Sequence, residues 1–278
     1  MQKLSEASAL GDLMKPIDSR QNPKIKLARA LNSRKQREAQ GLFLVEGLFH
    51  IGEALEAGAN IEFALAAPGL LRSPFGRALL ARLEATGIAV YQVESSLLNE
   101  LSGRERSSGL IAVCQAAYQG LPQLPAAELR SLVAILAPQD PGNLGAVLRS
   151  ADAFGLDGLL LLDGGVDAYH PSAVRAGMGV HFWKRIARAS FADCVEWAKV
   201  NRFALVGSSA KEGTPLSQAS VPRPFILLLG SERQGLSPQH KAACDHLLRI
   251  EMAGRATSLN LAVAAGVLMH GLLGDSSP

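Results

Sequence analysis

The chain has 278 residues, 48% of them apolar and 19% charged, with a formal net charge of +3. That composition excludes a disordered chain and is long enough for two domains of ordinary size, each with a buried core. So small a net charge does not by itself favour nucleic acid as a partner; such binding needs cations clustered in one place.

In chain order, residues 1–17 carry no pattern and read as a loose tail. One helix is expected over "IKLARALNSRKQREAQ", where Ile25, Leu27 and Leu31 recur at helical spacing. "GLFLVEG" reads as a strand, "LFHIGEALEAG" as an amphipathic helix closed by Gly58, "IEFALAA" as a strand and "GRALLARLEATG" as a helix. "IAVYQV" is strand-like, "SSLLNELSG" a short helix and "GLIAVC" a strand. The alternation predicts an α/β domain over residues 18–117. "YQGLPQLPAAE", residues 118–128, with two prolines and one glycine, reads as a linker.

The alternation restarts over residues 129–274. "SLVAILAP", "GLLLLDGG", "RFALVGSSA", "PFILLLG" and "HLLRIEMAG" read as strands. Helices are expected at "DPGNLGAVLRSADAFG", "HPSAVRAGMG", "FADCVEWAKVN" and "TSLNLAVAAGVLMHGLL". Continuous apolar strands between helices predict a parallel sheet covered on both faces. Ligands of such sheets bind beyond the carboxyl ends of the strands. Here those ends are "APQDPGN", "LVGSSA", "LLLGSERQG" and "RIEMAG".

Familiar catalytic signatures are absent: the sequence holds no GxxxxGK[ST], HExxH or GxSxG. Cys114, Cys194 and Cys244 lie far apart, which argues against a zinc site and a disulfide framework. The most apolar run, "LAVAAGVLMHGLL", is too short to span a bilayer, and a cytoplasmic protein with no membrane partner and no metal is expected. Arg20, Lys24, Lys26, Arg29, Arg34, Lys35 and Arg37 fall within residues 20–37 without a single acid. That run is either a solvated helix face or a surface for RNA phosphates.

Four polar features stand at the expected strand ends. Asn143 is a natural helix cap before Leu144. Arg149 could pair with Asp152 on the helix surface or serve as a permanent cation beside an anionic group. Glu232 sits in "LGSERQGLS". In "TSLN", Ser258 is expected to cap the last helix, with Asn260 in its first turn. Each has a bland reading alone; their convergence on one crevice favours a functional one.

Together, "DPGNLGAVLRSADAFG", "LLLGSERQGLS" and "IEMAGRATSLNLAVAAG" resemble, in order, the three motifs of the SpoU (TrmH-like) branch of the SPOUT RNA methyltransferases. "VRAGMGVHFWKRI" is similar to the segment between the first two. "SRQNPKIKLARAL" and "GLFLVEGLFHIGEAL" resemble the smaller α/β RNA substrate-binding domain that precedes the catalytic domain in rRNA-modifying members. Two positions depart from the pattern: Glu251 stands where many members have Pro, and Ser231 where many have Asn.

The resemblance implies a C-terminal trefoil knot, a homodimer and S-adenosylmethionine as cofactor. It implies cofactor contacts from Gly230, Ile250 and Leu259, with Ser208, Ser209, Ala210 and Met252 lining the pocket. The implied reaction is methyl transfer to a ribose 2′-hydroxyl of RNA, most readily large-subunit rRNA. Arg149 would act by charge, since a guanidinium is always protonated; Asn143, Glu232, Ser258 and Asn260 would orient it and the ribose. The competing readings are a tRNA 2′-O-methyltransferase, a non-catalytic RNA-binding protein of this fold, and a phosphate- or small-molecule-binding α/β protein.

Overall fold

The computed structural model describes residues 14–102 and 107–273, so the tail reading of residues 1–13 lies outside the described residues. The chain divides after Ala116 into two compact units, and Tyr169–Arg175 group with the first of them.

The first unit contains β1 (Lys15–Ile17), α1 (Pro23–Ala30), α2 (Arg34–Gln40), β2 (Leu42–Glu46), α3 (Leu48–Glu56), β3 (Ile61–Ala66), α4 (Pro74–Ala85), β4 (Val90–Val93), α5 (Ser95–Leu101) and β5 (Leu110–Gln115). Its sheet is mixed, in the order β1-β4-β3-β5-β2, with β5 antiparallel to both neighbours. Leu44, Phe63, Leu65, Ile111 and Val113 share a core with Ile25, Ala28 and Leu31 of the α1 region and with Leu97, Leu98 and Leu101 of α5.

Two expectations change here. Residues 15–17 are a strand beside β4, with Met14 and Ile17 buried, rather than part of a tail. The single helix expected over residues 25–40 is two. Ser33 adopts an extended conformation (φ −87°, ψ 132°) as the N-cap of α2. The carbonyls of Leu31 and Asn32, left without helical partners, accept from the Arg37 guanidinium at 2.9 and 3.0 Å.

The second unit contains β6 (Tyr118–Gly120), β7 (Ser131–Leu136), α6 (Pro141–Ala153), β8 (Gly158–Leu162), β9 (Arg185–Ala189), α8 (Phe191–Val200), β10 (Ala204–Ser209), β11 (Thr214–Pro215), β12 (Phe225–Leu229), α9 (Pro238–Ala242), β13 (His246–Arg249) and α10 (Leu261–Leu273). Between β8 and β9, α7 (Pro171–Ala176) opens with the proline expected at its first turn. The sheet is parallel throughout, in the order β11-β13-β10-β12-β7-β8-β9-β6.

Every residue of β7, β8 and β12 is buried, which explains their unbroken apolar runs. Leu132, Ala134, Leu160, Leu162, Ile226 and Leu228 share a core with Cys194 and Ala198 of α8. Alternation sends Val133, Ile135, Leu159, Leu161 and Leu227 to the opposite face, where α6 packs on β8 and on α10. This is the expected α/β class with a parallel sheet.

The expected linker is part of this unit. Tyr118–Gly120 pair with β9, and Leu121 and Leu124 are buried in the core with α8. Proline and glycine suit these short 3-10 turns as well as they suit a linker. Strand β9 was not expected either: Arg185 and Arg188 interrupt its apolar residues.

Candidate active site

The loops that leave β7 and β12 do so from adjacent strands. The strand order runs in opposite directions from this pair, the switch point at which a parallel sheet offers a crevice at the carboxyl ends of its strands. The β7 loop turns through Ala137, held at φ 41°, and enters α6 at "DP". The sequence suggested Asn143 as the cap of this helix, but Asp140 holds that position. Its Oδ1 accepts from the Asn143 backbone N–H at 2.7 Å, with Pro141 following at the first helical position. The dipeptide Asp140-Pro141 was the available signal.

Asn143 is thereby free of capping. Its Oδ1 accepts from Asn260 Nδ2 at 2.9 Å, and its Nδ2 makes a long 3.5 Å contact to Glu232 Oε1. Asn260 in turn caps α10. Its Oδ1 accepts from the Ala262 and Val263 N–H groups at 2.9 and 3.4 Å, so the capping role expected of Ser258 belongs to Asn260. Glu232 accepts from the Gln139 and Asp140 N–H groups at 3.0 and 3.1 Å. Asn143, Glu232 and Asn260 thus tie the loops after β7, β12 and β13 into one hydrogen-bonded unit.

Beside it lies a cavity of about 350 Å³, at the lower end of the roughly 300–1,000 Å³ usual for small-molecule and cofactor sites. Ser208, Ser209, Ala210, Gly230, Ile250, Met252 and Leu259 all line it, as do Glu232 and Ser258; Asn143, Arg149 and Asn260 do not. Gly230 is required where it stands. A Cβ there would collide with the backbone of Gly235 and the Leu236 N, because Ser231 and Gly235 bridge to each other and fold the loop back on itself. Sequence reading missed Lys211, Glu212, Arg233 and Lys241, which also line the cavity. Lys241 pairs with Glu212 at 3.0 Å. No spacing marks these four in advance. Of the two departures noted above, Glu251 accepts from Ser217 Oγ at 2.6 Å and Ser231 makes the bridge to Gly235.

Arg149 is exposed on α6, on the flank of the buried stripe Leu144, Val147, Leu148 and Ala151. It does not pair with Asp152. That carboxylate is taken by Lys184 Nζ at 2.9 Å and by the Trp183 indole N–H at 3.1 Å. Arg149 has no hydrogen-bond or ion-pair partner among the described residues. Burial pushes the thiols of Cys114 and Cys194 up to about 12 and that of Cys244 up to about 11, so none is a nucleophile near neutrality.

The basic run is mostly engaged within its own unit. Arg20 and Arg29 both pair with Glu100, at 3.4 and 2.8 Å, and Arg34 pairs with Glu38 at 3.0 Å. The Lys24 ammonium lies 4.5 Å from the centre of the Phe63 ring. Arg37 is only 4% exposed and closes the carbonyl ends of α1, so its assignment to RNA is corrected. Lys26 and Lys35 are exposed, and their ammonium groups have no partner among the described residues.

Residues 130–270 match the model of the SpoU rRNA methylase family, and residues 22–112 match that of the MRM3-like substrate-binding domain. The chain is 31% identical over 264 residues to the 23S rRNA (guanosine(2553)-2′-O)-methyltransferase RlmP of Bacillus subtilis (strain 168), covering 94% of this chain and 100% of the relative. The chain belongs to the SpoU rRNA methylase family. Another SpoU relative, the 23S rRNA (uridine(2479)-2′-O)-methyltransferase of Streptomyces viridochromogenes, is 32% identical and covers 86% of this chain and 85% of its own. The AdoMet-bound rRNA methyltransferase of Sinorhizobium meliloti superposes with a TM-score of 0.83 at 30% identity, over 93% of this chain and 97% of that one. Among the described residues of this SpoU chain, no helix is long and apolar enough to cross a membrane, and no cluster of three His, Cys, Asp or Glu side chains could hold a metal ion.

Proposed function

We propose that this SpoU chain methylates a ribose 2′-hydroxyl of large-subunit rRNA, with S-adenosylmethionine bound in the cavity beneath the three loops. The observation that carries the reading is the hydrogen-bonded unit of Asn143, Glu232 and Asn260 at the edge of that cavity, with an unpartnered cation, Arg149, on the helix it anchors.

The residues present fit the cofactor. Aliphatic, serine and glycine residues make up much of the lining, with Lys211, Glu212, Glu232, Arg233 and Lys241 also present, and the close approach at Gly230 brings backbone groups to the cavity wall. When bound, S-adenosylmethionine supplies a methyl group already activated by a positive sulfur. Gly230, Ile250 and Leu259 would hold it, with Ser208, Ser209, Ala210 and Met252 around it.

The chain's own residues serve the ribose. Its hydroxyl is a poor nucleophile and must lose its proton as it takes the methyl group. That proton leaves to solvent water, since Arg149 cannot accept it, as a guanidinium stays protonated; Arg149 steadies the developing alkoxide or the adjoining phosphate by charge. Glu232 is a positioning residue, since its carboxylate is already committed to two backbone N–H groups. Asn143 and Asn260 fix where α6, and so Arg149, points; Ser258 stands in the cavity wall.

The functional unit in this reading is a homodimer in the cytoplasm. Arg149 lies six residues beyond Asn143, roughly 9 Å along the helix axis. Beside it, Leu259, Val263 and Val267 on and before α10 are 37%, 52% and 38% exposed, an apolar stripe that a second copy would cover while bringing a cation to the partner's crevice. The trefoil knot belongs to the same reading.

Mapping 2′-O-methyl sites in rRNA and tRNA from cells with and without the gene tests the substrate. One 23S position is expected to lose its methyl group; loss confined to tRNA would replace the proposal by the tRNA reading.

A further inference from the structure

Two large aromatic side chains of the first unit stand in solvent, Phe49 at 46% and Phe75 at 53% exposure. Each is the second residue of its helix, α3 and α4. These helices meet closely at Gly76 and touch at Gly52. A Cβ on Gly76 would lie 3.0 Å from Leu48 Cδ1, and one on Gly52 would lie 3.6 Å from Phe75 Cζ. Phe49 and Gly52 are three apart on α3 and share a face, so the Phe75 ring lies against the same face that carries Phe49. The Phe49 ring is steadied edge-on by His50, with centroids 5.5 Å apart, and His50 Nε2 is 3.3 Å from the Arg175 carbonyl.

Arg72 and Arg77 flank Phe75 in the chain, and the Arg175 carbonyl meets His50, the neighbour of Phe49. Arg72 is exposed, and its guanidinium has no partner among the described residues. The Arg77 guanidinium is held by the carbonyls of Leu71 and Arg72 at 3.2 and 3.0 Å, and Arg175 donates to Ser172 Oγ at 3.2 Å. Of the acids on α3, Glu56 is paired with Arg82 at 3.3 Å and Glu53 is half-buried. Neither ring is among the side chains packed on the core around Phe63 and Leu65, and exposed aromatics near cations are what single-stranded nucleic acid requires: faces for bases and charge for phosphates.

We infer that Phe49 and Phe75 form a stacking platform for unpaired bases of the RNA substrate, with Arg72 beside it for the backbone. The inference rests on the RNA-methyltransferase reading above and places a base-contacting site away from the cation run of residues 20–37. Bases inside a duplex have no free faces, so the platform selects loops and single strands.

The test uses the full-length protein and two probes, labelled oligouridylate and the same strand paired with oligoadenylate, with affinity read by fluorescence anisotropy. Phe49→Ala with Phe75→Ala should weaken oligouridylate binding on the order of ten-fold or more per ring. Duplex binding and S-adenosylmethionine binding should stay unchanged, the latter also showing that the variant is folded. Phe49→Tyr with Phe75→Tyr should restore affinity. Arg72→Ala should instead lower the salt dependence. Unchanged oligouridylate affinity in the double alanine variant, or equal loss for both probes, overturns the inference. So does a change of sedimentation from dimer to monomer, which would make the rings a self-interface. If the wild-type protein methylates no RNA at all, the underlying reading fails; if it does and the alanine variant binds RNA as well, only the platform fails.

Discussion

The run of residues 20–37 and the helix after β7 both present basic side chains, and the fold treats them in opposite ways. Of seven cations in the first, three are in ion pairs, one lies over an aromatic ring and one is buried on carbonyl oxygens, which leaves Lys26 and Lys35. In the second, Arg149 stands with an acid three residues away and does not use it, because Lys184 and Trp183 occupy that acid. Cation density along a chain therefore says little about free charge. What decides it is which acceptors the tertiary structure delivers to each side chain.

Removing Arg149 should have the largest effect. Arg149→Ala is expected to lower kcat on the order of 10²–10³-fold, the cost of losing one preorganised charge from a transition state. S-adenosylmethionine affinity by calorimetry should be unchanged. Turnover within a few-fold of wild type would end the contrast between the two regions.

Arg37→Ala should act on stability and not on RNA. One buried and one half-buried carbonyl lose their donor, which predicts a loss of about 1–3 kcal/mol in urea denaturation. RNA affinity, measured where the variant is folded, should be unaltered; a selective loss of RNA binding would return Arg37 to the RNA surface.

Lys26→Ala and Lys35→Ala should have the smallest effect. Each should leave the thermal midpoint in place and reduce the slope of log affinity against log salt by about 0.7–0.9. An unchanged slope in the double variant would mean that neither lysine meets phosphate.

Strands β7, β8 and β12 of the second unit could be read from the sequence almost residue by residue, since they are buried on both faces and must be apolar throughout. The short strands β1, β6 and β11 could not. They lie at or near sheet edges, and nothing in "KPI", "YQG" or "TP" differs from a loop until a neighbour pairs with it. The break between α1 and α2 was hidden for a similar reason, because the carbonyls it exposes are satisfied from Arg37, several residues away.

The candidate site was legible as a set of residue types and not as a set of roles. Sequence alone determined that Asn143, Glu232, Ser258 and Asn260 follow strands, because strand ends are written in the change from apolar run to polar turn. It also determined that one cation rides the helix after β7. Which asparagine caps a helix and which bridges to its partner, which oxygen of Glu232 meets which backbone N–H, and whether Arg149 is paired or free were decided only by tertiary structure. Hydrogen bonds between loops 89 and 117 residues apart depend on where the sheet places its strand ends, and no local preference encodes that distance.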